Sequence, residues 1–139
     1  MNKRNEGGFS LIELLLVVAI ICIVAAIAVP AFQKGLWAAE NGRAVATMRT
    51  INSTQVAFYS QNNRFGRLKE LQPMVGNGLG TTVGEKVVRG GYLFEMDPVL
   101  PSDEELKTEF SVSATRSITG DTTYMYKLTH TGEIEQILP

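Results

Sequence analysis

Two hydrophobic patterns divide the first sixty residues of this chain. From Leu14 to Phe32 apolar residues follow one another without a charge. At a rise of ~1.5 Å per residue the run nearly spans a bilayer core of ~30 Å. It is apolar all round, so it predicts a helix that is buried on every side, in lipid or among other helices. Beyond it the apolar residues recur at helical spacing. At about 100° per residue, Trp37, Ala44, Val45, Met48, Ile51, Val56, Phe58 and Tyr59 fall within a wedge of about 160°. Asn41, Asn52 and Gln55 intrude on that stripe, and Arg43, Thr50 and Ser53 lie outside it. Residues 9 to about 62 therefore read as one long helix with an apolar half, 9–33, and an amphipathic half. Pro30 removes the hydrogen bond to the Ala26 carbonyl and clashes there, which predicts a kink or a locally opened turn.

Asn62-Asn63-Arg64-Phe65-Gly66 ends the helix, with Gly66 suited to a left-handed turn. Arg67 to Leu71 can form one more turn before Pro73. The six glycines between Gly76 and Gly91 predict a long surface connection. After it the pattern shortens to period two. Tyr92 to Met96 sets Tyr, Phe and Met against Leu and Glu, and Phe110 to Ala114 sets Phe, Val and Ala against serines. Thr123 to Leu128 reads as Tyr and Lys against Met and Leu, and Glu133 to Leu138 as a last edge strand. Gly120-Asp121 and Thr131-Gly132 supply turns. The expected fold is α+β: a long N-terminal helix whose amphipathic half packs on an antiparallel sheet of three or four strands.

Charge changes this picture at one place. Glu13 sits four residues after Phe9, just ahead of the uncharged run. An unpaired charge at membrane depth costs about 2.5–3.5 kcal/mol or more, so something must compensate it. Ahead of it lies Gly8-Phe9-Ser10-Leu11-Ile12-Glu13, preceded by Lys3, Arg4, Glu6 and Gly7. A generic signal peptide is cleaved after its apolar region, whereas here the only cleavage-like site precedes it.

At these residues the sequence resembles the type IV pilin family, whose precursors carry a short charged leader ending in Gly, then Phe, then a Glu in an apolar helix. The resemblance implies a leader over 1–8, removed by a prepilin peptidase between Gly8 and Phe9, and methylation of the new Phe9 amine. It implies that Glu13 is the family's buried carboxylate, paired with the Phe9 amine of a neighbouring subunit during assembly. The motif covers roughly residues 7 to 32, and beyond it the likeness is one of layout. Lys3 and Arg4 on the N-terminal flank place the leader in the cytoplasm and residues 34–139 outside, as an exported domain.

The rest of the composition mainly excludes. The net charge of −1 becomes −2 once the leader is gone, so no basic excess argues for nucleic acid. Cys22, the only cysteine, lies in the apolar run and leaves no intrachain disulfide. Many pilins close a C-terminal loop with a Cys pair, and this chain departs from them. With one histidine, His130, and that one cysteine, neither a catalytic triad nor a His/Cys metal site has material, so no enzyme, metal site or cofactor is expected. The glycine-rich stretch lacks the Gly-Lys-Ser/Thr of a phosphate loop. Asp97, Asp103, Glu104, Glu105, Glu109 and Asp121 could offer oxygens to Ca²⁺ but match no loop spacing. A turn capped by Ser102 accounts better for the acids at 103–105. Asn52-Ser53-Thr54 fits the glycosylation triplet but falls in mid-helix.

These features predict a structural subunit of a type IV pilus or related filament. It would be held in the inner membrane by one helix, with its C-terminus outside, and would join the extracellular fimbrium on assembly. Its partners would be further copies of itself, other pilins, the prepilin peptidase, the inner-membrane assembly machinery and the membrane. A pseudopilin of type II secretion is the alternative within the superfamily. A single-pass periplasmic binding module that never polymerises is the alternative from another class.

Overall fold

The structure, a computed structural model, describes residues 7–118 and 120–139. The expected leader residues Lys3, Arg4 and Glu6 lie outside the described residues. The chain separates into two units, one ending at Ala38 and one running Ala39–Pro139. Helix α1, Leu11–Asn62, contributes to both.

In the first unit α1 starts two residues later than the apolar pattern suggests, because Ser10 is drawn out of the helix to cap it. It continues through Pro30 as helix. Its side chains cover nothing: the large apolar residues from Leu11 to Phe32 are all half or more exposed.

The second unit has a core of its own. After α1 come the short helix α2 (Leu68–Leu71), a 3₁₀ turn over Gln72–Val75, and β1 (Thr81–Val83), β2 (Lys86–Arg89) and β3 (Tyr92–Met96). A second 3₁₀ turn, Glu105–Lys107, precedes β4 (Ser111–Ile118), β5 (Asp121–Thr129) and β6 (Ile134–Leu138). The six strands form one antiparallel meander in sequence order. Three or four strands were expected, and the extra pair lies inside the glycine-rich stretch. Gly84 (φ 63°) turns β1 into β2, and Gly90 (φ 57°) and Gly91 (φ 77°) turn β2 into β3. There the glycines make hairpin turns.

One face of the sheet meets α1. Register aligns Val87, Phe94, Ala114 and Tyr126 in one row and Met96, Val112, Leu128 and Ile134 in the next. All but Ile134 are buried, in one cluster with Ala44, Met48, Ile51 and Phe58 of the helix. Each such large side chain contributes about 1.5–3 kcal/mol by leaving water. In β5 the expected alternation is corrected: Tyr124, Tyr126 and Leu128 share the inner face, and Met125 and Lys127 the outer one.

The helix face that the sheet covers is also rotated from the expected stripe. The buried positions are Ala44, Thr47, Met48, Ile51, Thr54, Gln55 and Phe58. They span an arc of about 120° whose centre lies roughly 60° from that of the apolar wedge. Thr47 and Thr54 can be buried because their hydroxyls bond the carbonyls of Arg43 (2.9 Å) and Thr50 (2.7 Å), leaving methyls to pack. Val56 and Tyr59, on the other flank, stay 63% and 38% exposed, and Trp37 falls in the first unit outside the core. Two polar ties fix the rotation: Glu40 pairs with Arg116, and the Tyr92 hydroxyl donates to Asn41 at 2.5 Å. Burial pushes the Tyr92 phenol up to about 12.

Past α1, Asn63 rather than Gly66 takes the left-handed position (φ 54°). Gly66 is needed for space, since a Cβ there would come within 2.9 Å of Leu71 and 3.2 Å of the Phe58 ring. Buried Gln55 holds it with two bonds of 2.7 Å, donating to the Gly66 carbonyl and accepting from its N–H. Leaving those groups unpaired would cost about 1–3 kcal/mol each.

Candidate processing and assembly segment

Gly7, Gly8 and Phe9 precede the helix and are exposed, Phe9 by 93%. A Cβ on Gly8 would meet nothing within 4 Å, so the Gly8-Phe9 peptide is open to an approaching group.

The next four residues form a reciprocal cap. The Glu13 amide donates to the Ser10 hydroxyl at 3.3 Å, and the Ser10 amide donates to the Glu13 carboxylate at 2.8 Å. The Ser10 carbonyl then accepts the first helical bond, from Leu14 at 3.2 Å. This is a capping box, in which one carboxylate satisfies a free N–H at a helix start and opposes the positive end of the helix dipole. Reading the sequence for a membrane charge missed this role, although Ser10-x-x-Glu13 ahead of an apolar run is its signature. The box fixes the Glu13 carboxylate beside the residue that follows Phe9. An amine at Phe9 would exist only after cleavage, one peptide unit from the N–H that Glu13 now accepts.

Behind the cap, α1 holds a stretch long and apolar enough to cross a membrane, none of it buried within the protein. Leu11, Ile12, Ile23, Ile27 and Phe32 are among its most exposed side chains, and Cys22 is a free, exposed thiol among them.

Several acidic residues of the second unit serve the fold. Ser102 and Glu105 repeat the capping box, with the Ser102 amide donating to Glu105 at 2.7 Å, and those bonds hold the carboxyl below its usual range. Arg67 bonds the Pro101 carbonyl and Asp103, both at 2.8 Å, and so pins the β3–β4 connection to α2. Arg64 forks onto Glu70 at 2.6 and 3.0 Å, which raises the guanidinium and lowers the carboxyl. Among the described residues, no group of three or more His, Cys, Asp or Glu side chains is arranged to hold a metal ion. His130 and Cys22 belong to different units.

Comparison with known proteins bears on the same segment. The family model for the prokaryotic N-terminal methylation motif matches residues 3–29. Among curated proteins, the type IV major pilin protein PilA of Myxococcus xanthus (strain DK1622) is 42% identical over 64 residues, 46% of this chain and 29% of that protein. The type II secretion system core protein G of Aeromonas hydrophila is 26% identical over 94 residues, 67% of this chain and 66% of that protein. The chain spans less than two thirds of the length of either relative. No solved structure matches it.

Proposed function

We propose that this chain, type IV pilin-like in its N-terminal motif and its helix-and-sheet fold, is a structural subunit of a type IV pilus or related filament. One observation carries the reading. The first unit is a capped helix whose apolar surface is exposed on every side, behind an open Gly8-Phe9 peptide. Such a surface needs lipid before assembly and other helices after it. The Gly8-Phe9 bond is cut by a prepilin peptidase, Phe9 becomes the methylated first residue, and the helix over 9–33 passes from inner membrane to filament core. Residues 34–139 are exported and lie on the outer side of the membrane. The partners are further copies of the chain, other pilins and the membrane's assembly machinery, and no catalytic role is assigned.

Cleavage changes what Glu13 faces. The new Phe9 amine sits at the helix start, where the dipole disfavours a positive charge, so a carboxylate is needed nearby. Two unit charges 4 Å apart attract by roughly 4 kcal/mol at an effective dielectric of 20, comparable with the cost of burying Glu13. An incoming subunit whose amine meets this carboxylate is thereby drawn into register. Glu13→Ala and Glu13→Gln should leave export and cleavage intact while lowering the yield of sheared filaments, measured at equal membrane levels. Wild-type filaments should contain this chain beginning at methyl-Phe9 by mass spectrometry. A chain still beginning at Met1, or normal yield from both variants, would overturn the reading.

A pseudopilin role is the second reading. Its support is the match to core protein G, which extends over 94 residues and so reaches beyond the length of α1. Loss of protein secretion without surface filaments on deletion of the gene would favour it.

A further inference from the structure

The rotation of α1 against its sheet leaves part of the apolar wedge uncovered in the second unit. Val56, 63% exposed, stands on that flank, and Arg49 lies two turns before it, about 20° away around the helix. The surrounding exposed positions are small: Gly42, Ala46, Ser53 and Ala57. Arg49 is also unpaired among the described residues, as is Arg43. Arg64 and Arg67 are paired with acids, Arg116 with Glu40, and Arg89 with the Gly78 carbonyl, while Arg43 lies along the Gly90 turn. Among the described residues, the Arg49 side chain has no hydrogen bond or ion pair.

A complementary cavity of about 370 Å³ opens in the same unit, between the β3–β4 connection, the start of β4 and the end of β5. Its apolar wall is Met96, Pro98 and Phe110; its polar side carries Glu105, Glu109, Ser111, Thr129 and His130. Asp97 and Lys127, also on its rim, face each other at 3.7 Å and largely offset one another. The Glu109 carboxylate has no partner among the described residues, and the Ser111 hydroxyl oxygen is buried without a hydrogen bond. The cavity thus presents acceptors beside an apolar wall. A guanidinium, with five donors, no acceptor and a flat face that stacks on apolar surface, is the side chain that suits it best.

We propose that this cavity receives Arg49 of a second copy of the chain, with Val56 of that copy against its apolar wall. The inference rests on the filament reading and names a contact between exported units in addition to the N-terminal helices. The two surfaces differ, so the contact is heterologous; repeated from copy to copy it builds an open helical array rather than a closed dimer. The small residues around Arg49 let the neighbour's rim approach the helix closely.

The test is a charge swap in the full chain, read as sheared filament yield at equal membrane levels. Arg49→Glu and Glu109→Arg, each placing like charges together, should each lower the yield about tenfold or more. The double variant carrying both should recover most of it. In a Cys22→Ala background, Arg49→Cys with Glu109→Cys should be joined into oligomers by a short bis-maleimide crosslinker in filaments, since long side chains that pair hold their backbones too far apart for a direct disulfide, while either cysteine alone should not form the ladder. If wild-type filaments form and the single variants match them, the contact is overturned and the filament reading stands. The contact is equally overturned if Glu109→Arg alone is deficient, which assigns the cavity to a different cation, or if the double variant stays as low as the singles. Absence of wild-type filaments removes the filament reading and this contact with it.

Discussion

Phe32 and Phe94 are the same residue in two regions that treat it in opposite ways. Phe32, in the first unit, is 69% exposed; Phe94, in the second, is wholly buried. The first unit is one helix whose backbone is satisfied internally and whose side chains have nothing to pack on. Among the described residues, the second buries seventeen apolar side chains in one cluster, enough for a core of its own. The contrast teaches where each region gets its stability: the second from itself, the first from whatever surrounds it.

The largest effect expected from this contrast comes from cutting between the regions. A chain beginning at Lys34 should lose membrane association entirely yet remain soluble, with strand signal in circular dichroism and a cooperative melt. A fragment that fails to melt cooperatively would mean that the second unit depends on the first.

Paired substitutions sharpen the contrast at single residues. Phe94→Ala should destabilise the second unit by about 3–5 kcal/mol, lowering its melting temperature by more than about 10 °C. Phe32→Ala should change the same melt by less than about 0.5 kcal/mol. Equal shifts from the two would contradict a core confined to the second unit.

The smallest effect is a pH dependence in the second unit. Arg64 holds the Glu70 carboxyl below its ordinary value. A depressed folded pKa gives stability that is present above the unfolded value and lost as pH falls through the folded one. The loss should therefore begin below about pH 4.3. Because the Glu70 side chain is 33% exposed, screening limits the contribution to about 0.5–1 kcal/mol. Denaturant melts of wild type and Glu70→Gln should differ at pH 7 and converge towards pH 3; a constant difference would remove the linkage.

Much of the architecture was legible because it depends on local pattern. The extent of α1 to within two residues, strands at 92–96, 110–114, 123–128 and 133–138, and the turns at Gly120 and Gly132 follow from period and turn residues, although β4 and β5 run further than the pattern shows. The first two strands were hidden because β1, Thr81–Val83, is exposed throughout and β2, Lys86–Arg89, buries only Val87, so neither alternates visibly. The N-terminal motif was equally legible, since Gly8, Phe9 and Glu13 lie within six residues. The capping box of Ser10 and Glu13 is readable there too, as Ser-x-x-Glu ahead of an apolar run.

By itself, then, the sequence determined a helix behind a Gly-Phe junction that is uncharged from Leu14 to Phe32, and a following α+β unit, because hydrophobic period and turn chemistry act over a few residues. Only the tertiary structure decided which arc of α1 meets the sheet. That choice depends on residues far apart in the chain: Glu40 with Arg116, Asn41 with Tyr92, and Gln55 with Gly66. It buries two threonines and a glutamine at the expense of Val56 and Tyr59. The same long-range packing sets the cavity beside Phe110, whose walls come from β3, β4, β5 and the connection pinned by Arg67. No window of sequence contains those partners together, so periodicity could place the helix but not its rotation.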